Sequence, residues 1–285
     1  MPALLALESS VFAQGLPVPE NREALLRMTA AARAAGATPR ITAITRGVPT
    51  ADLAAHPEDL ERFLARTGVR KVSARDLPLC IAQQGDGATT VAATMVLAAQ
   101  HGIDVFATGG IGGVHRDAPF DESADLVELA RSPVLVVCAG AKSILDLPAT
   151  LERLETLGVP VLGYRTNQLP GFFTAETGVT LPDRVDTVGE IAAAWRAHRA
   201  LKRPGGMLVM QPPPAESALD RAVVEAAVQQ ALAEASAAGV RGGGVTPFLL
   251  AAVARRTDGR SLRTNLALLE SNAALGAEIA VAVAA

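Results

Sequence analysis

Lysine is nearly missing from this chain. Of 26 basic residues among 285, only three are lysine: Lys71, Lys142 and Lys202. Arginine supplies the others, and a guanidinium that never loses its proton cannot serve as an amine nucleophile. A lysine retained against such a bias points to a task that arginine cannot perform. Lys202 is set aside, because it sits in the turn sequence Lys202-Arg203-Pro204-Gly205-Gly206. Cysteine is scarce as well. Cys80 and Cys138 both lie in apolar runs, which excludes a disulfide framework and reads as reduced core thiols of a cytoplasmic protein. There is no basic excess either. A net charge of −3 and a pI near 5.9 exclude a general electrostatic hold on nucleic acid or an anionic membrane. An anionic small molecule must then be caught by a few placed groups. No 18-residue stretch of uncharged apolar residues suggests a membrane span. The apolar opening Ala3–Leu7 has no basic leader, the first cation being Arg22, and it stops at Glu8, unlike a secretion signal. No repeat, low-complexity linker or charge run divides the chain, so one domain is expected.

What is present is core. Hydrophobic residues make up 49% of the chain, ample for one large interior. Short apolar runs predict strands at 4–7, 38–44, 69–72, 79–82, 104–107, 134–138, 161–164 and 207–211. Several are unbroken Val/Leu/Ile runs, as suits strands buried on both faces of a parallel sheet. Helical periodicity predicts helices over 22–35, 60–67, 90–100, 123–131, 143–157, 188–201, 217–238, 247–257 and 261–282. Gly36, Gly102, Gly158 and Gly239 follow four of these as C-caps. The alternation predicts an α/β fold, a three-layer α/β/α domain with a mostly parallel sheet and a helical C-terminal part. Ligands of such sheets gather at the carboxyl ends of the strands. That rule selects Glu8, the segment after Ala107 and the segment after Cys138.

Each of these carries chemistry. In Val134–Ser143 an apolar strand runs through Ala139-Gly140-Ala141 to Lys142, where the first turn of a helix is expected. A helix dipole and apolar surroundings would both disfavour the ammonium, favouring an amine able to attack a masked aldehyde. The plainer reading is a lysine that pairs with phosphate or with Asp146. Glu8 closes the first strand, either as a general acid/base or as a carboxylate that caps a helix or pairs with arginine. Gly109-Gly110-Ile111-Gly112-Gly113-Val114-His115-Arg116 has four glycines in five positions, fitting either a phosphate cradle or a tight turn. It fails as a dinucleotide fingerprint, because His115 occupies the last glycine position and no helix opens there. Phe120–Asp125 holds three carboxylates, suited to an N-cap or to one oxygen ligand on a hard cation. Gly87–Val91 reads as a loop with a capped helix start.

These segments together resemble the pseudouridine-5′-phosphate glycosidase family, also called indigoidine synthase A-like. The matching stretches include Ala6-Leu7-Glu8-Ser9, Lys71–Pro78, Gly87–Ala92, Val105–Arg116, Ser123–Leu126, Val136–Asp146 and Thr246–Leu250, in family order over nearly the whole chain. The resemblance implies reversible cleavage of the C1′–C5 bond of pseudouridine 5′-phosphate to ribose 5-phosphate and uracil through a lysine imine. It implies Lys142 as nucleophile, Glu8 as proton donor, Lys71 as a phosphate ligand and Asp121 as a ligand of Mn²⁺. It assigns substrate-binding roles to Val91, Ser123, Ala124 and Asp125, with Thr108, His115 and Asn265 as further pocket residues. A homotrimer is also implied. The rival expectations are a synthase joining ribose 5-phosphate to another carbon nucleophile, and a non-catalytic sugar-phosphate-binding protein. Three departures from the family pattern stand out. Ala13-Gln14-Gly15 replaces Ser-His-Gly, the stretch between His115 and Asp121 is about two residues short, and Gly242-Gly243-Gly244-Val245 replaces a charged segment.

Overall fold

The computed structural model describes residues 2–116, 120–241 and 244–285. The two length and composition departures around 117–119 and 242–243 therefore fall outside the described residues.

Among the described residues twelve strands occur: β1 (Leu4–Glu8), β2 (Thr38–Thr45), β3 (Val48–Thr50), β4 (Val69–Val72), β5 (Asp86–Thr89), β6 (Val105–Ala107), β7 (Val114–His115), β8 (Leu135–Cys138), β9 (Leu145–Asp146), β10 (Val161–Tyr164), β11 (Asp183–Val185) and β12 (Met207–Met210). The helices are α1 (Glu20–Ala34), α2 (Pro57–Leu64), α3 (Leu77–Ala82), α4 (Val91–Gln100), α5 (Ala124–Leu129), α6 (Leu147–Thr156), α7 (Val188–Ala200), α8 (Arg221–Ala237), α9 (Val245–Arg256) and α10 (Arg260–Ala284). The main sheet has the order β11-β10-β12-β8-β6-β1-β2-β5-β4, with β3 paired to β2. Its pairings are parallel except where β2 meets β3 and β5. β1, β6, β8 and β12 are the buried centre, as their unbroken apolar runs require. α10 packs on β1, β6 and β8 together with α1 and α7, and α4 covers β1, β2 and β6 from the other face. The expected three-layer α/β/α arrangement is the one observed. Gly36, Gly102, Gly158 and Gly239 all take the left-handed conformation expected of C-caps.

Three local expectations are corrected. Residues 79–82 are helix, not strand. Ser73 and Asp76 form a capping box, Pro78 sits in the first turn of α3, and Leu77 and Cys80 turn inward while Leu79 and Ile81 are 53% and 38% exposed. Gly87–Thr89, expected as loop, belongs to β5. Its pairing comes from β2 and β4 and not from its own weak strand propensity. The helix expected from Ser143 begins only at Leu147, capped by Asp146, whose Oδ1 accepts from the Ala149 amide at 3.0 Å. Lys142 thus precedes that helix by five residues and does not sit in its first turn.

α10 has the length and apolarity of a membrane span. Over half of its most apolar stretch is buried, against the sheet, α1 and α7.

Candidate active site

Because β1, β6, β8 and β12 are parallel, their carboxyl ends lie side by side. The Thr108 amide donates to the Val137 carbonyl (3.0 Å), Ala139 to Gly109 (2.9 Å) and Gln211 to Cys138 (3.0 Å). Glu8, Thr108 and Lys142 therefore emerge on one edge. β4 and β5 run the other way. Since β2 extends beyond Thr42, they meet it level with Glu8 and bring Lys71 and Thr90 to the same place.

Glu8 is 5% exposed. Its Oε2 accepts from Ser10 Oγ at 2.8 Å, and its Oε1 from Thr108 Oγ1. Burial pushes its pKa above the usual carboxylate range, against the opposing pull of Lys142 and of the two hydroxyls, with Asp125 adding a further upward push. The carboxyl therefore holds its proton to higher pH than an ordinary glutamate. Thr108 is itself fixed. Asn272 Nδ2 donates to its carbonyl at 2.8 Å, and Gln211 Nε2 donates to Asn272 Oδ1 at 2.9 Å.

Lys142 is held from behind. Its amide donates to the Ile111 carbonyl (3.1 Å), and the Ile111 amide donates to the Gly140 carbonyl (3.1 Å). Gly140 has φ +90°, and a Cβ there would stand 2.2 Å from the Pro170 carbonyl oxygen, so the turn that aims the lysine admits only glycine. Lys142 forms no ion pair among the described residues, and Asp146 serves α6 instead.

Two adjoining chambers share Glu8, Ser10, Lys71, Lys142 and Thr246. One, of about 230 Å³, is polar, walled by Ser73, Thr90, Val91, Gly112, His115, Ser123, Ala124 and Asp125. It opens on the N-terminus of α4, where helix amides favour an anion. The other, of about 280 Å³, is mostly apolar, walled by Val11, Leu16, Phe172, Pro247, Leu250 and Leu269, with Gln14, Thr108 and Asn265. Lys71 is exposed as a residue yet reaches both chambers. Desolvation there, followed by the charge of Lys142, lowers its pKa below the usual lysine range.

All the expected site residues except Asp121 line these chambers. Some do so in a role different from direct contact. Both oxygens of Asp125 are taken by backbone amides, from Ala92 (3.0 Å) and Gly112 (2.8 Å), and Ser123 caps α5. The glycine stretch is likewise braced inward. The amides of Ile111, Gly112 and Val114 all donate to protein oxygens, so this segment packs closely more than it cradles. A Cβ on Gly112 would lie 2.2 Å from Ser123 Oγ. Gly112→Ala is therefore expected to lose about 1–3 kcal/mol through overpacking, seen in calorimetry as a Tm lowered by several degrees. An unchanged Tm would mean that α5 shifts freely.

Asp121 is exposed and lines neither chamber; its carbonyl accepts from the His115 amide at 2.9 Å. No group of three His, Cys, Asp or Glu side chains suited to a metal occurs among the described residues. The Asp121 carboxylate has no side-chain partner among them either. One free carboxylate fits a cation that keeps most of its waters, not a closed protein cage.

Sequence reasoning missed Ser10, Phe172, Gln211 and Asn272. Ser10 stands two residues from Glu8 and was open to notice. Phe172 and Asn272 reach the site from distant segments, with no local signal.

A family model described as indigoidine synthase A like protein matches residues 2–282. The pseudouridine-5′-phosphate glycosidase of Gemmatimonas aurantiaca is 66% identical over 281 residues, covering 99% of this chain and 91% of that protein. That of Herpetosiphon aurantiacus is 55% identical, covering 98% and 92%. Among solved structures, the prealnumycin C-glycosynthase AlnA in complex with ribulose 5-phosphate superposes with a TM-score of 0.90 at 40% identity, covering 99% of this chain and 91% of that one. An indigoidine synthase A-like protein from Thermotoga maritima gives 0.91 at 37% identity, covering 98% and 92%.

Proposed function

The chain belongs to the indigoidine synthase A-like family, and from that premise we propose that it is a pseudouridine-5′-phosphate glycosidase. It reversibly cleaves the C1′–C5 bond of pseudouridine 5′-phosphate to ribose 5-phosphate and uracil. The observation that carries the reading is the meeting of a buried, proton-retaining Glu8 and a Lys142 with no ion pair among the described residues, where a polar and an apolar chamber join. The polar chamber, with Lys71 and the start of α4, suits the sugar phosphate; the apolar one suits the base.

The chemistry follows from the bond to be broken. A base joined through carbon has no heteroatom lone pair at the linkage to take a proton. Lys142 Nζ attacks C1′ and the C1′–O4′ bond breaks, its electron pair leaving with O4′, which takes the proton of Glu8. The adduct nitrogen sheds a proton to the Glu8 carboxylate, and its lone pair then forms C1′=N as the C1′–C5 bond breaks, the electron pair leaving on C5, which takes that proton from Glu8. Water adds to the protonated imine, giving one proton to the Glu8 carboxylate, and the adduct collapses to ribose 5-phosphate and the free amine. Ser10 and Thr108 hold that carboxyl in place throughout.

Incubation with ribose 5-phosphate and uracil should yield pseudouridine 5′-phosphate by mass spectrometry. No product, with ribose 5-phosphate still trapped on the protein by borohydride, would favour the second reading, a synthase using a different carbon nucleophile. That reading draws support from the likeness to a C-glycosynthase.

A Mn²⁺ ion on Asp121 belongs to the same proposal, where it would orient substrate and water. Chelation is expected to lower kcat/KM several-fold and added Mn²⁺ to restore it. A calorimetric titration should show Mn²⁺ binding lost in Asp121→Asn; equal binding by that variant would remove Asp121 as a ligand. A homotrimer in the cytoplasm completes the reading. Light scattering should give three times the 29.3 kDa chain mass.

A further inference from the structure

Gln14 sits on the single π-turn (Val11–Gly15) that follows β1, six residues beyond Glu8. Its Nε2 donates to the Val69 carbonyl at 3.3 Å. This fixes which way the amide faces, since the reversed amide would set oxygen against oxygen. Its Oε1 is then left shielded from solvent with no hydrogen-bond partner. Three buried side-chain atoms are in that state among the described residues: Gln14 Oε1, Arg62 Nε and Ser143 Oγ. Of the three residues, Gln14 alone borders the apolar chamber that holds Glu8 and Lys142, and it does not border the polar one. A buried carbonyl without a donor is costly, and a ligand N–H removes that cost. Apolar side chains form most of the surrounding wall, so a flat ring fits there and an N–H on its edge is met by few acceptors.

We infer that Gln14 is a specificity-determining residue for the base, its side-chain carbonyl accepting an N–H of a planar nitrogen heterocycle such as the uracil ring. This rests on the glycosidase reading above. It separates nitrogenous bases from carbocyclic aromatic acceptors, which offer no such donor and leave the oxygen stranded.

The test runs in the synthetic direction with ribose 5-phosphate and uracil, 1-methyluracil or 3-methyluracil. Wild-type protein is expected to use one of the two methylated bases at least 10-fold less efficiently than uracil. Gln14→Met keeps the length of the side chain without its carbonyl. It is expected to raise KM for uracil about 10-fold or more, to lose the discrimination between the methylated bases, and to leave borohydride trapping of ribose 5-phosphate alone unchanged. Equal use of all three bases by the wild type overturns the inference without any variant. So does a Gln14→Met protein with the wild-type KM and the wild-type preference. If the wild type traps no ribose 5-phosphate, the glycosidase reading itself falls and takes this one with it.

Discussion

Lys142→Ala is expected to lower turnover by at least about 10⁴-fold, the scale on which a covalent nucleophile is missed, while the protein keeps its Tm. Lys142→Arg should be equally inactive. It retains the positive charge that Lys142 directs at Glu8, but its guanidinium cannot lose a proton and form an imine. The pair of variants separates charge from nucleophilicity, which alanine alone would not. Borohydride in the presence of ribose 5-phosphate should add mass to the wild type at residue 142 and to neither variant. Mass added at Lys71 would move the nucleophile to the neighbouring lysine, whose amine borders the same chambers and whose pKa burial lowers. Turnover by Lys142→Arg within about tenfold of the wild type would end the imine mechanism.

For Glu8→Gln the expected loss is on the order of 10²–10⁴-fold in kcat, as befits a proton donor, with KM little changed. The pH dependence carries the sharper test. Cleavage needs Glu8 protonated, and burial raises its pKa. Activity should therefore persist above the range of an ordinary carboxylate and fall as pH climbs through the raised value. That alkaline limb should vanish from the residual activity of Glu8→Gln. Stability has a related sign. The folded protein holds this proton more tightly than the unfolded chain, so the stabilising contribution is full below the unfolded pKa and disappears as pH rises through the folded one. Above that raised value the buried carboxylate is a burden, and there Glu8→Gln should melt no lower than the wild type. A loss confined to KM, or a clear drop in Tm, would argue that Glu8 is a structural anchor.

The two side chains proposed to react, Glu8 and Lys142, were legible because each sits beside a feature that sequence reports well. The apolar strands β1 and β8 are continuous, and the carboxyl-end rule for parallel sheets turns the residues after them into candidates. The scarcity of lysine narrowed the choice further. What stayed hidden depends on contacts between remote segments. The Asn272 bond to Thr108 joins residues 164 apart, and no periodicity in α10 distinguishes a buried asparagine from an exposed one. The environment of Lys142 was misjudged because Ser143-Ile144-Leu145 suits a helix. Ser143 and Ile144 instead form a turn closed by the Leu145 amide on the Lys142 carbonyl (2.9 Å), and pairing of β9 with β7 keeps Leu145 and Asp146 extended, which delays the helix to Leu147. The glycine stretch fits either a cradle or a tight turn by composition, which does not reveal that Gly140, Asp125 and Thr150 already occupy the amides of Ile111, Gly112 and Val114.

α10 supplies Asn265 and Leu269 to the apolar chamber and Asn272 to the turn that positions Thr108. During synthesis a ribosome releases Glu8 and Lys142 long before it releases residues 260–284. The polar chamber draws no wall from that late segment, but until it docks across β1, β6 and β8 the apolar chamber lacks Asn265 and Leu269 and Thr108 lacks the Asn272 bond. A nascent or prematurely terminated chain is therefore expected to have no complete compartment for the base, and turnover to wait on this helix.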